Sequence, residues 1–192
     1  IFLEKGRRNA KSMTNTAIRN LNSSEPFFLW LHYVDPHYPY FVPESVGGTY
    51  SNVSKMEWKC NLGIINQEFW EEEENKEYCK DLYDEEIKFT DRQIGRLIEE
   101  LKERDLLKDS IVIITADHGE AFGEHGKYYH VDVPMYEEII HVPLILRGPE
   151  IQGGNSKTEV DSTRIAPTVL DLLNISKPEG IKNDTLPLKG KK

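Results

Sequence analysis

IVIITADHGEAFGEHGKYYH, residues 111–130, is the stretch on which the reading of this chain turns. Ile111 to Ala116 is a short apolar run rich in β-branched residues, the pattern of a strand buried on both faces. It ends abruptly in Asp117-His118-Gly119-Glu120. In open α/β sheets, ligands sit in the crevice beyond the carboxyl ends of the strands. A strand that delivers an adjacent carboxylate and imidazole to its own tip can hold a divalent cation. The carboxylate supplies charge and a hard oxygen, the neutral ring a nitrogen. Asp117 and His118 are therefore the candidate metal ligands, although Asp-His-Gly also makes an ordinary strand exit. Gly119 lets the backbone turn without a Cβ clash. Two residues do not complete a site, because hard cations take more ligands.

Outward from this stretch, the hydrophobic period changes several times. Glu77 to Arg104 carries Leu82, Ile87, Ile94, Leu97, Ile98 and Leu101 with charged residues between them, an amphipathic helix. The acidic run Glu71–Glu74 before it reads as a solvated face. Upstream, FFLWLHY (27–33) is a second apolar run bounded by turn residues and predicts another strand buried on both faces. Residues 34–49, with three prolines and the Gly47-Gly48 pair, predict an ordered loop, and residues 8–21 an amphipathic helix. Downstream, VPLILR (142–147) predicts a third strand and PTVLDLL (167–173) a last helix, with Pro near its first turn. Apolar strands alternating with helices predict an α/β sandwich with a largely parallel sheet. There is no internal repeat and no long linker, and 192 residues fit one domain with a sizeable core.

Four of the six histidines, His118, His125, His130 and His141, fall within 24 residues. His125 and His130 stand in the glycine-containing loop GEHGKYYH, where no packing period demands a histidine. Such a side chain can donate a proton to a leaving group, since its ordinary pKa lies near neutrality. His37, in Asp35-Pro36-His37-Tyr38-Pro39, can bind an anionic oxygen. The plainer reading of all three is a solvated or hydrogen-bonded loop residue. His32, inside an apolar run, and His141, just before a strand, read as structural.

The formal net charge of −9 argues against non-specific nucleic-acid binding, which needs a basic face. An anionic substrate remains compatible with it, because a metal and histidines can make a site locally positive. No run approaches the ~20 apolar residues of a membrane span. The compartment is left open, with the cytoplasm slightly favoured, and so is the oligomeric state. Cys60 and Cys79, 19 residues apart and without a CxxC pattern, read as free structural thiols, with a disulfide and a metal or redox role as alternatives.

Taken in order, PFFLWLHYVDPHYPY, YDEEIKFTDRQIGRLIEELKERDLLKDSIVIITADHGEAFGEHG, MYEEIIHVPLILRGP and DSTRIAPTVLDLL resemble the second half of the sulfatase catalytic domain, within the alkaline-phosphatase superfamily. The resemblance runs from about Arg8 to Leu188. It implies an alkaline-phosphatase-like α/β/α sandwich with a mostly parallel sheet, of which this chain is part. It implies Asp117 and His118 as metal ligands, with calcium the expected ion, or manganese, magnesium or zinc if the chemistry is that of the phosphoesterases. It implies His37 as a sulfate-oxygen contact. The histidine of the family's GEHG stretch is matched by His125. The lysine that follows there falls on His130, or on Lys127 if the loop shifts.

Two family features have no counterpart here. No CxPSR-type segment, the source of the formylglycine nucleophile, occurs, and the early aspartate pair of metal ligands is missing. The expectation is a fragment or truncated product that is inactive alone. The implied function of the intact protein is sulfate-ester hydrolysis on a small molecule or glycan. A phosphodiesterase, phosphonate hydrolase or phosphoglycerol transferase on the same fold, and a non-catalytic remnant, are the alternatives.

Overall fold

The structure is a computed structural model that describes residues 9–22, 24–40, 60, 67–130, 135–149, 151–182 and 184–188. The chain forms two compact units, residues 1–106 with 116–142, and residues 107–115 with 143–192.

The first unit holds helices α1 (Ala10–Asn20) and α2 (Glu73–Glu103), the two-stranded hairpin β2 (Ala121–Phe122) and β3 (Tyr128–Tyr129), and the single turn α3 (Glu137–Ile140). Asn9 caps α1 by accepting from the Ser12 N–H, which satisfies one of the donors a helix start leaves open. At the other end, the Arg104 guanidinium at the close of α2 donates to the carbonyls of Ile18 and Leu21. Those are the orphan acceptors of α1, so one side chain closes one helix and ties it to another. Exposed Glu–Lys pairs at i,i+3 line α2, at 2.6 to 3.4 Å. Water and salt screen such exposed pairs, so each adds little to stability.

The face that α2 buries agrees with the predicted one at Leu82, Leu97 and Leu101 and departs from it at Ile87. Cys79, Leu82, Glu86, Phe89, Thr90, Gln93, Leu97 and Leu101 are buried, whereas Ile87 is exposed. The real stripe runs through Phe89 and polar residues that a hydrophobicity count passes over. The helix also starts four residues earlier than expected and takes in Glu73 and Glu74, where negative charge suits a helix N-terminus.

Aromatic residues make most of the core of this unit: Tyr40, Phe69, Trp70, Phe122 and Tyr129, with Leu82, close around the Cys60–Cys79 pair. The two cysteines are joined by a disulfide, and both are fully buried. This corrects the free-thiol reading, since spacing alone does not show that residues 19 apart meet.

A further correction concerns residues 27–33. The segment joins no strand ladder, and its burial alternates, with Phe28, Trp30, His32 and Val34 exposed and Leu29, Leu31 and Tyr33 half-buried. It has a strand's two-residue period without a paired neighbour. His32 is therefore exposed instead of lying in the core. Of the expected loop, residues 34–40 are turns and irregular backbone, and residues 41–49 lie outside the described set.

The second unit holds β1 (Val112–Thr115), β4 (Leu144–Arg147) and α4 (Ile165–Leu172). β1 and β4 pair antiparallel, Val112 opposite Arg147 and Thr115 opposite Leu144. The expected parallel sheet is thus not what the described strands form: both sheets are two-stranded and antiparallel. β1 is half-buried rather than fully buried. Thr168 on α4 receives the Leu186 N–H, and Arg164 pairs with Asp184 at 2.8 Å, which fasten the C-terminal segment to the helix. Among the described residues no helix is long and apolar enough to cross a membrane.

Candidate active site

The site lies in the first unit, where the turn that follows Val34 supplies His37, the segment before β2 supplies His118, and His130 directly follows β3. Ring nitrogens of His37, His118 and His130 all lie within 4.8 Å of one another. The rings are 4.1 Å apart between His118 and His130, and 4.8 Å between His37 and His130. Three histidines far apart in sequence thus share one half-buried spot.

Each ring is held through its Nδ1. That atom faces the Tyr38 carbonyl in His37, the Gly119 carbonyl at 2.8 Å in His118, and Glu120 Oε1 at 3.0 Å in His130. An oxygen of this kind can only accept, so each Nδ1 carries the hydrogen and each neutral ring is left with a lone pair on Nε2. This is the arrangement in which outer contacts fix the tautomer of a ligand or proton donor.

The hairpin explains how His130 arrives. Gly123 at φ 107° and Gly126 at φ 66° turn the chain, and His125 between them has φ 53°. Tyr129 also has a positive φ, 61°, unusual for a bulky residue. Its hydroxyl donates to the Cys60 carbonyl at 2.6 Å and its ring meets Tyr38 at 4.7 Å. Packing thus holds a strained residue directly beside His130, as is common next to functional groups.

Gly119 is needed for close approach rather than for its φ. A Cβ there would collide with the Glu138 carbonyl, and the Gly119 N–H donates to the Ile139 carbonyl at 2.7 Å.

Asp117 is not part of the imidazole group. Its carboxylate is 69% exposed, accepts from the His118 N–H, and lies 3.9 Å from His118 Nε2. The pair fits two ligands of a divalent cation: Nε2 is the nitrogen left to His118, and an acidic oxygen stands beside it. An all-oxygen calcium shell is not what these residues alone supply.

The other candidates lie apart from the cluster. His125 is 54% exposed, stacks on Tyr136 at 4.0 Å and bonds Glu138 at 3.0 Å. That hydrogen bond holds the Glu138 carboxyl below its ordinary value. Lys127 is exposed at the hairpin turn. His141 is exposed, with Glu137 3.8 Å away.

Two residues at the site were not singled out from the sequence. Glu120 is 8% exposed, and its second oxygen accepts from the hydroxyl of Tyr40, which is fully buried. Burial first, and then the charge of Glu120, push the Tyr40 phenol far above its ordinary value.

The sulfatase family profile matches residues 2–175. The chain belongs to the sulfatase family. As a sulfatase it is 31% identical over 192 aligned positions to the Arylsulfatase of Clostridium perfringens (strain 13 / Type A), covering 88% of this chain and 38% of that one. Among solved structures it superposes on the phosphonate monoester hydrolase SpPMH from Silicibacter pomeroyi with a TM-score of 0.71 at 21% identity, over 93% of this chain and 41% of that one. It also matches BT4656, solved in complex with its substrate D-glucosamine-2-N,6-O-disulfate, with a TM-score of 0.52 at 31% identity, over 58% of this chain and 23% of that one. The chain spans well under half the length of the curated relatives it matches, 18% of an Arylsulfatase K and 33% of a choline-sulfatase. The fold is therefore that of alkaline-phosphatase-like sulfatases, even though its described strands are few and antiparallel.

Proposed function

We propose that this chain supplies the metal-binding and leaving-group side of a sulfatase active site, in a protein that hydrolyses the sulfate ester of a small molecule or glycan. The gathering of His37, His118 and His130 within a sulfatase-family chain carries the reading. The sulfated sugar held by the 31% identical BT4656 supports a glycan ester as the substrate class.

In this reading Asp117 and His118 hold a divalent cation, calcium or a more nitrogen-tolerant ion such as manganese. When bound, such an ion supplies positive charge that stabilises the charge developing on the sulfate oxygens. His37 offers its ring to a non-bridging oxygen of the same group. His130, once its Nε2 has taken a proton from solvent, passes that proton to the departing oxygen and returns to the neutral Nδ1–H ring, so that the alcohol leaves neutral rather than as an alkoxide. His125 is the second candidate donor, and Lys127 a further contact for the anionic group. The nucleophile is not among residues 1–192, which carry no CxPSR-type segment. It belongs to the part of the family domain that this chain does not span.

The test uses a protein that carries this chain within a whole sulfatase domain. It is expected to hydrolyse 4-nitrophenyl sulfate only with a divalent cation present, and faster than a phosphate diester of the same phenol. Preference for the diester would overturn the sulfate assignment.

A further inference from the structure

β2 and β3 pair with Ala121 opposite Tyr129 and Phe122 opposite Tyr128. The same register carried one residue outward sets Glu120 opposite His130, at the distance where cross-strand side chains meet. They do meet, His130 Nδ1 lying 3.0 Å from Glu120 Oε1. Glu120 is not free to swing. Its side chain is 3% exposed, and Oε2 accepts the hydroxyl of the fully buried Tyr40 at 2.7 Å. His37 and His118 are held by backbone carbonyls of the adjoining residue. His130 alone of the three is held by a side chain from the opposite strand, so its setting can be removed without touching the backbone.

We infer that Glu120 is a positioning residue, clamped by Tyr40, that fixes His130 as the Nδ1–H tautomer and aims its Nε2 at His37 and His118. The consequence rests on the proposed function. A His130 that gives its Nε2 proton to the leaving oxygen ends as a neutral ring with hydrogen on Nδ1, and that is the form Glu120 holds. The ester's C–O oxygen takes the proton as the S–O bond breaks. Without Glu120 the ring can rotate and can favour hydrogen on Nε2, the form preferred by free imidazole in water. Outer partners of this kind are worth roughly 10–100-fold in activity.

The variant that isolates the effect is Tyr40→Phe with Glu120→Leu, since replacing both partners of a buried hydrogen bond by apolar groups of similar shape costs little stability. Long-range proton–nitrogen spectra of the chain labelled with nitrogen-15 histidine, with divalent cations chelated and the pH above the histidine range, read the tautomer directly. In the parent chain His130 is expected to show hydrogen on Nδ1. In the folded double variant its pattern should move to hydrogen on Nε2, while His37 and His118 keep theirs. A parent His130 with hydrogen on Nε2, or a folded double variant that keeps it on Nδ1, overturns the inference. If the double variant does not fold, Glu120→Gln decides. The Nδ1 proton of His130, deshielded by a charged acceptor, should move upfield against a neutral one, and an unmoved resonance counts against the role.

A kinetic arm uses the whole-domain protein. The loss in kcat should be roughly tenfold or more larger for an alkyl sulfate, a poor leaving group, than for 4-nitrophenyl sulfate, with KM little changed. Equal losses for both esters would reduce Glu120 to a structural residue. Absence of any sulfatase turnover in the parent would sink the proposed function and leave the tautomer result standing.

Discussion

Tyr40 shows how much one buried side chain can set. Its ring meets Phe122 and Tyr129 in the core, and its hydroxyl ends on Glu120. Burial, aided by that carboxylate, raises the phenol far above its ordinary value, and burial also raises Tyr33, Tyr83 and Tyr129. A group whose folded-state pKa lies above the unfolded one contributes stability that is complete below the unfolded value and is lost as pH rises. The expected outcome is a stability that holds up to about pH 10 and falls above it, the ordinary phenol value marking the onset. Tyr40 accounts for up to about 1.4 kcal/mol per pH unit of that fall. Denaturant unfolding across pH 8 to 11 checks this, with Tyr40→Phe giving the shallower decline. At the same scale, the place of Asp117 and His118 just beyond β1 is legible, because an apolar run ending in charged residues marks a strand tip. Glu120 was not, because a lone carboxylate in a turn has no period to distinguish it. Only the cross-strand register reveals its partner.

At the scale of elements, α2 and the hairpin position the site together, and the disulfide joins them to a distant part of the chain. Cys79 lies on α2, and the carbonyl of Cys60 receives the Tyr129 hydroxyl from β3. Closing a loop of this size stabilises by about 3 kcal/mol on the chain-entropy view. Cys79→Ser is expected to lower unfolding stability by roughly that amount, and a reductant should do the same to the parent chain and nothing further to the variant. Equal stability with and without reductant would contradict the bridge. The helices were readable from their three-to-four spacing, α1 nearly to its ends. The same spacing finds Leu82, Leu97 and Leu101 on the buried face of α2 but misplaces Ile87, because Phe89, Thr90 and Gln93 turn inward instead. The apolar run 27–33 was read as buried on both faces from composition alone. Composition carries no information on which neighbours are present, and four of its seven residues are exposed.

For the whole molecule, the sulfatase family and the imidazole cluster stand together. Ordered segments such as VDPHYP and TADHGE pointed to the family before any geometry, since four separated stretches in one order are far more specific than any single one. The strand pairing could not be read in the same way, because antiparallel and parallel ladders draw on the same apolar runs. The central claim is that Asp117 and His118 are the metal ligands of a sulfate-ester hydrolase. Its most direct measurement compares 4-nitrophenyl sulfate turnover by the whole-domain protein with that of Asp117→Ala, each titrated with calcium and with manganese. The expected loss is about a thousandfold, the scale of removing one strong transition-state stabiliser, together with a weakened metal dependence. Turnover and metal dependence unchanged by Asp117→Ala would contradict it.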